Sequence, residues 1–174
     1  MIELSWETEF YTESFDNIDE WFIEDGEWHI ENGKLKSQAG LTYPSNPISF
    51  ISSTIINPGY QLLALSLQFQ YEMEWGNDTA FVSFLGDQDT VSFFWADQYW
   101  ENHTELLPFE INSESFRIQI GINPDNTLEY RGIKVDQLKI LYPSDNNPMT
   151  VNDNGNYIPK QILLHQNYPN PFNP

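Results

Sequence analysis

The sequence predicts an all-β fold, an antiparallel sandwich, and three observations support that prediction. Phe, Tyr and Trp make up 16% of the 174 residues, a high share for side chains that favour strands. They stand in runs with a period of two, separated by clusters of Asn, Gly, Asp and Pro that favour turns. No segment has a sustained helical period, so a βαβ architecture is not expected.

The first element with a clear local pattern is a hairpin. Asn32-Gly33 supplies two residues that readily adopt positive φ, which a type I′ turn requires at both central positions. This turn predicts that Ile30 faces Leu35 and that Glu31 faces Lys34 on the two strands.

The longest strand is predicted between Gln61 and Trp75. Its odd positions are apolar while most of its even positions are polar, so one face should be buried. The same alternation recurs in three later segments, which should share one core. The residues expected in that core are Leu63, Leu65, Leu67, Phe69, Tyr71, Met73, Trp75, Ala80, Val82, Phe84, Val91, Phe93, Trp95, Phe116, Ile118, Ile120 and Ile122.

The last strand of the domain changes parity part-way along. Ile133 and Val135 are odd-numbered, whereas Leu138 and Ile140 are even-numbered. A β-bulge near Asp136-Gln137 would produce this switch, because one extra residue re-aims the side chains that follow. A strand buried on both faces is the alternative.

Residues 1–142 are expected to form one domain. Residues 143–160 have too little apolar surface to offset the entropy cost of ordering them, so they are predicted to be a linker, and residues 161–174 contain a separate motif. The first residues lack the basic and apolar regions of a signal peptide, and the natural amino-terminal part is expected to be missing. No apolar run is long enough to span a bilayer.

The strongly negative net charge of the chain excludes some classes of binding partner. Lys and Arg total 7 against 26 Asp and Glu, and a formal charge of −19 argues against binding nucleic acid or an anionic membrane. The acidity is explained either by a solvated surface or by carboxylates that hold a hard cation such as Ca²⁺.

The composition also argues against catalysis, and the chain is predicted not to be an enzyme. Cysteine is absent, which excludes a thiol nucleophile and a disulfide framework. His29, His103 and His165 are predicted in a hairpin strand, an aromatic loop and the carboxy-terminal tail, so no zinc site or catalytic triad is evident. Paired acids of the glycosidase type are the alternative, although nothing in the sequence distinguishes a pair.

The carboxy-terminal residues 164–174 read Leu-His-Gln-Asn-Tyr-Pro-Asn-Pro-Phe-Asn-Pro. They resemble the opening of the sorting domain of type IX secretion cargo, whose pattern specifies all but one of these positions. The resemblance implies the type IX machinery as a partner, and a secreted or surface-attached protein of a Gram-negative bacterium. The motif residues are Gln166, Asn167, Tyr168, Pro169, Asn170, Pro171, Phe172, Asn173 and Pro174.

The body of the chain resembles jelly-roll modules of the cleaved-adhesin, MAM-like and immune-inhibitor-A types. The opening Glu13-Ser14-Phe15-Asp16, the following Trp21 and the closing strand 133–140 correspond to their first and last strands. The resemblance implies a non-catalytic accessory or adhesion-like jelly roll. It also implies a structural Ca²⁺ bound by Asp16 and Asp136, with Glu13 and Asp78 as additional ligands. Ordinary surface carboxylates or turn caps are the alternative.

The segment 94–103 suggests a second function, that of a carbohydrate-binding module. Exposed Tyr and Trp rings beside Asp, Gln and Asn side chains are suited to stacking on sugars. Trp95 continues the buried face of its strand, so Tyr99 and Trp100 are the predicted platform, with His103 beside them. Rings that cap the end of the core are the alternative. The partner would be a glycan, or otherwise a host or surface protein.

We expect deletion of residues 143–174 to leave the melting temperature nearly unchanged, because the linker is polar and the sorting segment is separate from the core. The measurement is a thermal melt of the full chain and the shortened chain. A drop of many degrees would show that this segment packs as part of the sandwich.

Chelation is expected to destabilise the fold if Asp16 and Asp136 share a cation, because the ion offsets their mutual repulsion. Saturation at one hundred times the dissociation constant adds about 2.7 kcal/mol, or roughly 5 to 10 °C in melting temperature. Melts in EDTA and in excess Ca²⁺, on the natural sequence and on Asp136→Asn, measure this difference. Identical melts of the natural sequence in both buffers would contradict the calcium prediction.

Overall fold

A computed structural model shows two antiparallel sheets, which confirms the all-β prediction. It describes residues 6–37, 48–59, 61–74, 78–124, 131–143, 149–151 and 157–159. No helix occurs among these residues, so none of the described elements is a candidate membrane-spanning helix. In chain order the strands are β1 (Trp6–Glu13), β2 (Trp21–Asp25), β3 (Trp28–Ile30), β4 (Leu35–Ser37), β5 (Ser49–Ser53), β6 (Leu62–Glu72), β7 (Thr79–Gly86), β8 (Thr90–Trp95), β9 (Gln98–Glu110), β10 (Phe116–Asn123), β11 (Gly132–Pro143), β12 (Met149–Val151) and β13 (Tyr157–Pro159).

The strand order is that of a jelly roll. The six-stranded sheet runs β3-β4-β11-β6-β9, with β1 also paired to β11, and the five-stranded sheet runs β2-β5-β10-β7-β8. The chain passes from one sheet to the other at each step from β4 to β7, and again at each step from β8 to β11. This crossing pattern places β4, β11, β6 and β9 over β5, β10, β7 and β8, as the jelly-roll prediction requires.

The core confirms the predicted period of two. In β6 the odd positions from Leu63 to Tyr71 are buried, and in β10 every second residue from Phe116 to Ile122 is buried as well. Trp75 lies outside the described residues. Phe84 joins the two sheets, because its ring stacks on that of Phe109 with the centroids 4.2 Å apart.

The predicted hairpin turn is also confirmed. Asn32 and Gly33 have φ values of 54° and 70°, as a type I′ turn requires. Ile30 pairs with Leu35 across the turn, and the N–H of Glu31 donates to the carbonyl oxygen of Lys34 at 2.9 Å.

The predicted bulge lies where the parity of the last strand changes. The pairing of β11 with β6 shifts register between Val135 and Gln137, which makes Asp136 the extra residue. Val135 and Leu138 are both fully buried, so the bulge restores the apolar face after the shift.

The Glu13 carboxylate links the end of β1 to the start of β2, and so links the two sheets. It accepts a hydrogen bond from the N–H of Phe15 at 2.7 Å and another from the indole N–H of Trp21 at 2.9 Å. Phe15 has a φ of 54°, which is rare for a bulky residue, and its side chain is fully buried. The carboxylate therefore stabilises an unfavourable backbone turn beneath the core.

Residues 98–110 form a strand, β9, of 13 residues, where an aromatic loop was expected around His103. This strand is the outermost one of its sheet, so its inward face is only half covered and can hold His103 and Glu105. Because polar residues replace apolar ones on that face, the alternation that identifies a strand is weak in the sequence.

The segment predicted to be a linker contains a short hairpin. β12 and β13 pair with each other as a separate two-stranded sheet, with Thr150 opposite Ile158. Pro143 belongs to β11 and pairs with Trp6. The sorting motif, within residues 161–174, lies outside the described residues.

Replacement of Glu13 by Ala is expected to lower the free energy of unfolding by about 2 to 3 kcal/mol, because two shielded N–H groups lose a charged acceptor. Urea denaturation followed by circular dichroism measures this loss. Glu24→Ala, which removes an exposed carboxylate from β2, is the control and should stay within about 0.5 kcal/mol. Equal effects of the two substitutions would contradict the role given to Glu13.

Candidate functional site

Five rings gather at one side of the sandwich, where β8 leads into β9 through Ala96-Asp97. We call them the edge cluster, because β8 and β9 are the outermost strands of their sheets on that side. Neighbouring rings have centroids 4.3 to 6.5 Å apart. The members of the edge cluster are Phe69, Tyr71, Trp95, Tyr99 and His103.

Glu105 is the carboxylate that orders this cluster. The indole N–H of Trp95 donates to its Oε2 at 3.1 Å, and Nε2 of His103 lies 3.2 Å from its Oε1. The other ring nitrogen of His103 lies 3.2 Å from the carbonyl oxygen of Glu101. Each carboxylate oxygen keeps a further lone pair, so Glu105 can accept hydrogen bonds from a ligand while it holds the rings in place.

A second carboxylate, that of Asp97, holds Tyr71 of the cluster in place. Burial raises the pKa of the Tyr71 hydroxyl, and a hydrogen bond to the Asp97 side chain raises that pKa further. The hydroxyl is therefore protonated at neutral pH and donates to Asp97. The backbone carbonyl of Asp97 accepts from the N–H of Met73 at 3.1 Å, which holds the turn against β6.

Tyr99 is the exposed member of the cluster, whereas Trp95 is buried as predicted. The side chain of Tyr99 is 45% exposed and meets the ring of His103 edge-on, with the centroids 4.3 Å apart. Trp100 packs elsewhere, with the guanidinium of Arg131 lying 5.2 Å from its ring centroid. The two rings therefore have different neighbours, and the joint platform of Tyr99 and Trp100 stays a prediction.

Sequence reasoning did not single out Glu105. The signal was present, because His103 and Glu105 are two positions apart and so share one face of a strand. The sequence predicts a loop around His103, and in a loop residues two positions apart need not share a face.

The residues predicted to bind calcium have other partners. Asp136 forms an ion pair with the ammonium group of Lys34 at 2.6 Å and accepts a hydrogen bond from the amide of Asn102 at 3.1 Å. Glu13 bonds Phe15 and Trp21 as described above.

Asp16 accepts a hydrogen bond from the hydroxyl of Ser14 at 2.9 Å, and Asp78 is fully buried at the start of the segment leading into β7. In the part of the chain that the structure describes, no three His, Asp or Glu side chains are grouped closely enough to hold a metal. The calcium site stays a prediction.

A cleft of about 760 Å³ lies at the end of the sandwich opposite the Ala96-Asp97 turn. Its described lining is polar and includes Asn57, Gln61 and Glu114. Asp89 shapes it by accepting a hydrogen bond from the N–H of Asn112 at 2.8 Å. These groups provide hydrogen bonding, whereas the edge cluster combines hydrogen bonding with an exposed ring.

No family model matches this sequence, and no curated protein matches it. Solved structures share its fold. The BiXyn10A CBM1 module in its apo form aligns with 78% of this chain and 99% of its own, with a TM-score of 0.50 and 10% identity.

Two further structures align with lower scores. One is a carbohydrate-binding module, CBM6cm-2, from Cellvibrio mixtus lichenase 5A in complex with cellotriose; it covers 79% of this chain and 100% of its own, with a TM-score of 0.46 and 10% identity. The other is CBM29_1, a family 29 carbohydrate-binding module from Piromyces equi; it covers 83% and 95%, with a TM-score of 0.46 and 15% identity. The likeness to the BiXyn10A CBM1 module, at 10% identity, shows a shared β-sandwich fold.

Proposed function

We propose that this chain is a carbohydrate-binding module of a larger exported protein, and that Tyr99 is its sugar-stacking ring. The observation behind the proposal is an exposed tyrosine ring, Tyr99, packed against His103, which in turn is hydrogen-bonded to a carboxylate, Glu105, that retains acceptor capacity. A sugar ring has an apolar face, which suits stacking on Tyr99, and hydroxyl groups at its rim, which can donate to Glu105. The fold shared with the BiXyn10A CBM1 module supports the same function.

The proposal is for binding rather than catalysis. Glu105 is hydrogen-bonded to both His103 and Trp95, which holds its carboxylate in a fixed position suited to recognition. The charge of −19 favours a neutral glycan over an acidic one, since like charges repel.

The route of export is a separate part of the proposal. It depends on the resemblance of residues 164–174 to a type IX sorting segment, which would place the module outside the cell or on its surface. An accessory or adhesion-like role at that surface is compatible with glycan binding. Under this proposal the module would hold a larger protein near its carbohydrate.

We expect Tyr99→Ala to weaken binding of a soluble oligosaccharide by about tenfold or more, because removal of a central aromatic anchor typically costs over 1 kcal/mol. Tyr99→Phe should retain most of the affinity, since it keeps the ring. The ligand is first selected on a glycan array and then titrated by isothermal calorimetry.

Trp100→Ala is the control for this experiment, because the neighbouring ring packs against Arg131 instead. It should bind as the natural sequence does. A glycan array without any bound sugar, or equal affinities for Tyr99→Ala and the natural sequence, would refute the Tyr99 site.

A further inference from the structure

A row of aromatic side chains crosses the outer face of the five-stranded sheet. Phe50, Gly121, Phe81 and Phe94 are direct partners, in that order, on β5, β10, β7 and β8. Neighbours such as Ile51 are fully buried between the sheets, so the row points away from the core. Adjacent strands lie about 4.8 Å apart, so the row is about 14 Å long.

Gly121 leaves room for the rings of this row. A Cβ atom at that position would lie 2.3 Å from Cζ of Phe81 and 2.8 Å from Cβ of Phe50. The Phe81 ring therefore occupies the space above the glycine, and the Phe94 ring follows with its centroid 6.4 Å away. The result is an aromatic surface that is continuous across neighbouring strands.

A second row, of hydroxyl and amide groups, runs beside the aromatic one. Ser52, Gln119, Ser83 and Ser92 are direct partners on the same four strands. The hydroxyls of Ser83 and Ser92 bond each other at 2.8 Å, and a hydroxyl group in such a pair keeps unused acceptor capacity. Ser52 and Ser83 are buried, whereas Gln119 and Ser92 are half-buried and accessible from this face.

The face exposes large apolar side chains to water. Phe94 is 63% exposed, and Phe22, which pairs with Ser52 on β2, is 51% exposed. They stand on the two edge strands of this face, β8 and β2, with the aromatic and polar rows between them. Exposed apolar side chains on one face, beside polar ones, are typical of a surface that binds a ligand.

The two rows carry no charge, although the chain has 26 acidic residues. Charged side chains stand at the margin, at Asp25 opposite Phe50 and at Arg117. On the opposite sheet the outer face has ion pairs instead, such as Lys134 with Glu31 at 2.7 Å. An uncharged face on an acidic protein is complementary to an uncharged ligand.

We infer that the outer face of the five-stranded sheet is a second binding surface, for a neutral polysaccharide chain laid across the strands. The aromatic row meets the apolar faces of successive sugar rings, and the accessible members of the second row, Gln119 and Ser92, bond their hydroxyls. This surface is distinct from the Tyr99 site, and the inference shares with the proposed function only the class of ligand.

The test measures adsorption isotherms of the full chain on insoluble neutral glucan, xylan and mannan, with polygalacturonate as the acidic probe. The variant Phe22→Ala/Phe94→Ala should lose at least about tenfold in affinity for the neutral polymer that the natural sequence binds. Both side chains are exposed, so the fold should persist, and circular dichroism confirms it. Leu106→Ala, an apolar residue 49% exposed on the opposite sheet, is the matched control.

The outcomes separate this inference from the Tyr99 proposal. Loss in Phe22→Ala/Phe94→Ala with little change in Leu106→Ala supports the second surface, whatever Tyr99→Ala does. Equal adsorption of the double variant and the natural sequence overturns it. Preferred binding of polygalacturonate overturns it too, as does self-association of the chain through this face in sedimentation without any polymer bound.

Discussion

The structure depends on one constraint, which is that each long strand buries a single face against the opposite sheet. The chain changes sheet at most of its connections, so consecutive strands meet across the core instead of side by side. In β6 the residues from Leu63 to Tyr71 satisfy this constraint by strict alternation. The same alternation leaves one outer face on each sheet. The residues on these outer faces are not fixed by the need to fill the core.

Those two faces differ in chemistry. On the six-stranded sheet, hydrogen bonds from Lys134 and then Lys36 lower the pKa of Glu31, so this pairing stabilises the fold at neutral pH and is lost as the pH falls through that lowered pKa. Exposed pairs of this kind contribute little each. On the five-stranded sheet the outer face has Phe94 and its aromatic row in place of ion pairs, and this contrast is the basis of the inferred second surface.

The acidic residues at the opening and the close of the domain have structural partners within the protein. Glu13 holds Phe15 and Trp21, which accounts for the spacing of these residues without a metal. Asp136 projects from the bulge toward the ammonium group of Lys34. A cation bound there would have to displace or share that lysine, a competition that the thermal melts would detect.

The sequence by itself determined the local features, because turns and bulges depend on neighbouring residues. Asn32-Gly33 specified its turn, and the parity change specified the bulge at Asp136. Only the tertiary structure decided which side chains meet, since strand order and register join residues far apart in the chain. Glu105 bonds Trp95 because β8 and β9 are the outermost strands of the two sheets on the same side of the sandwich. Phe81 covers Gly121 because β7 pairs with β10.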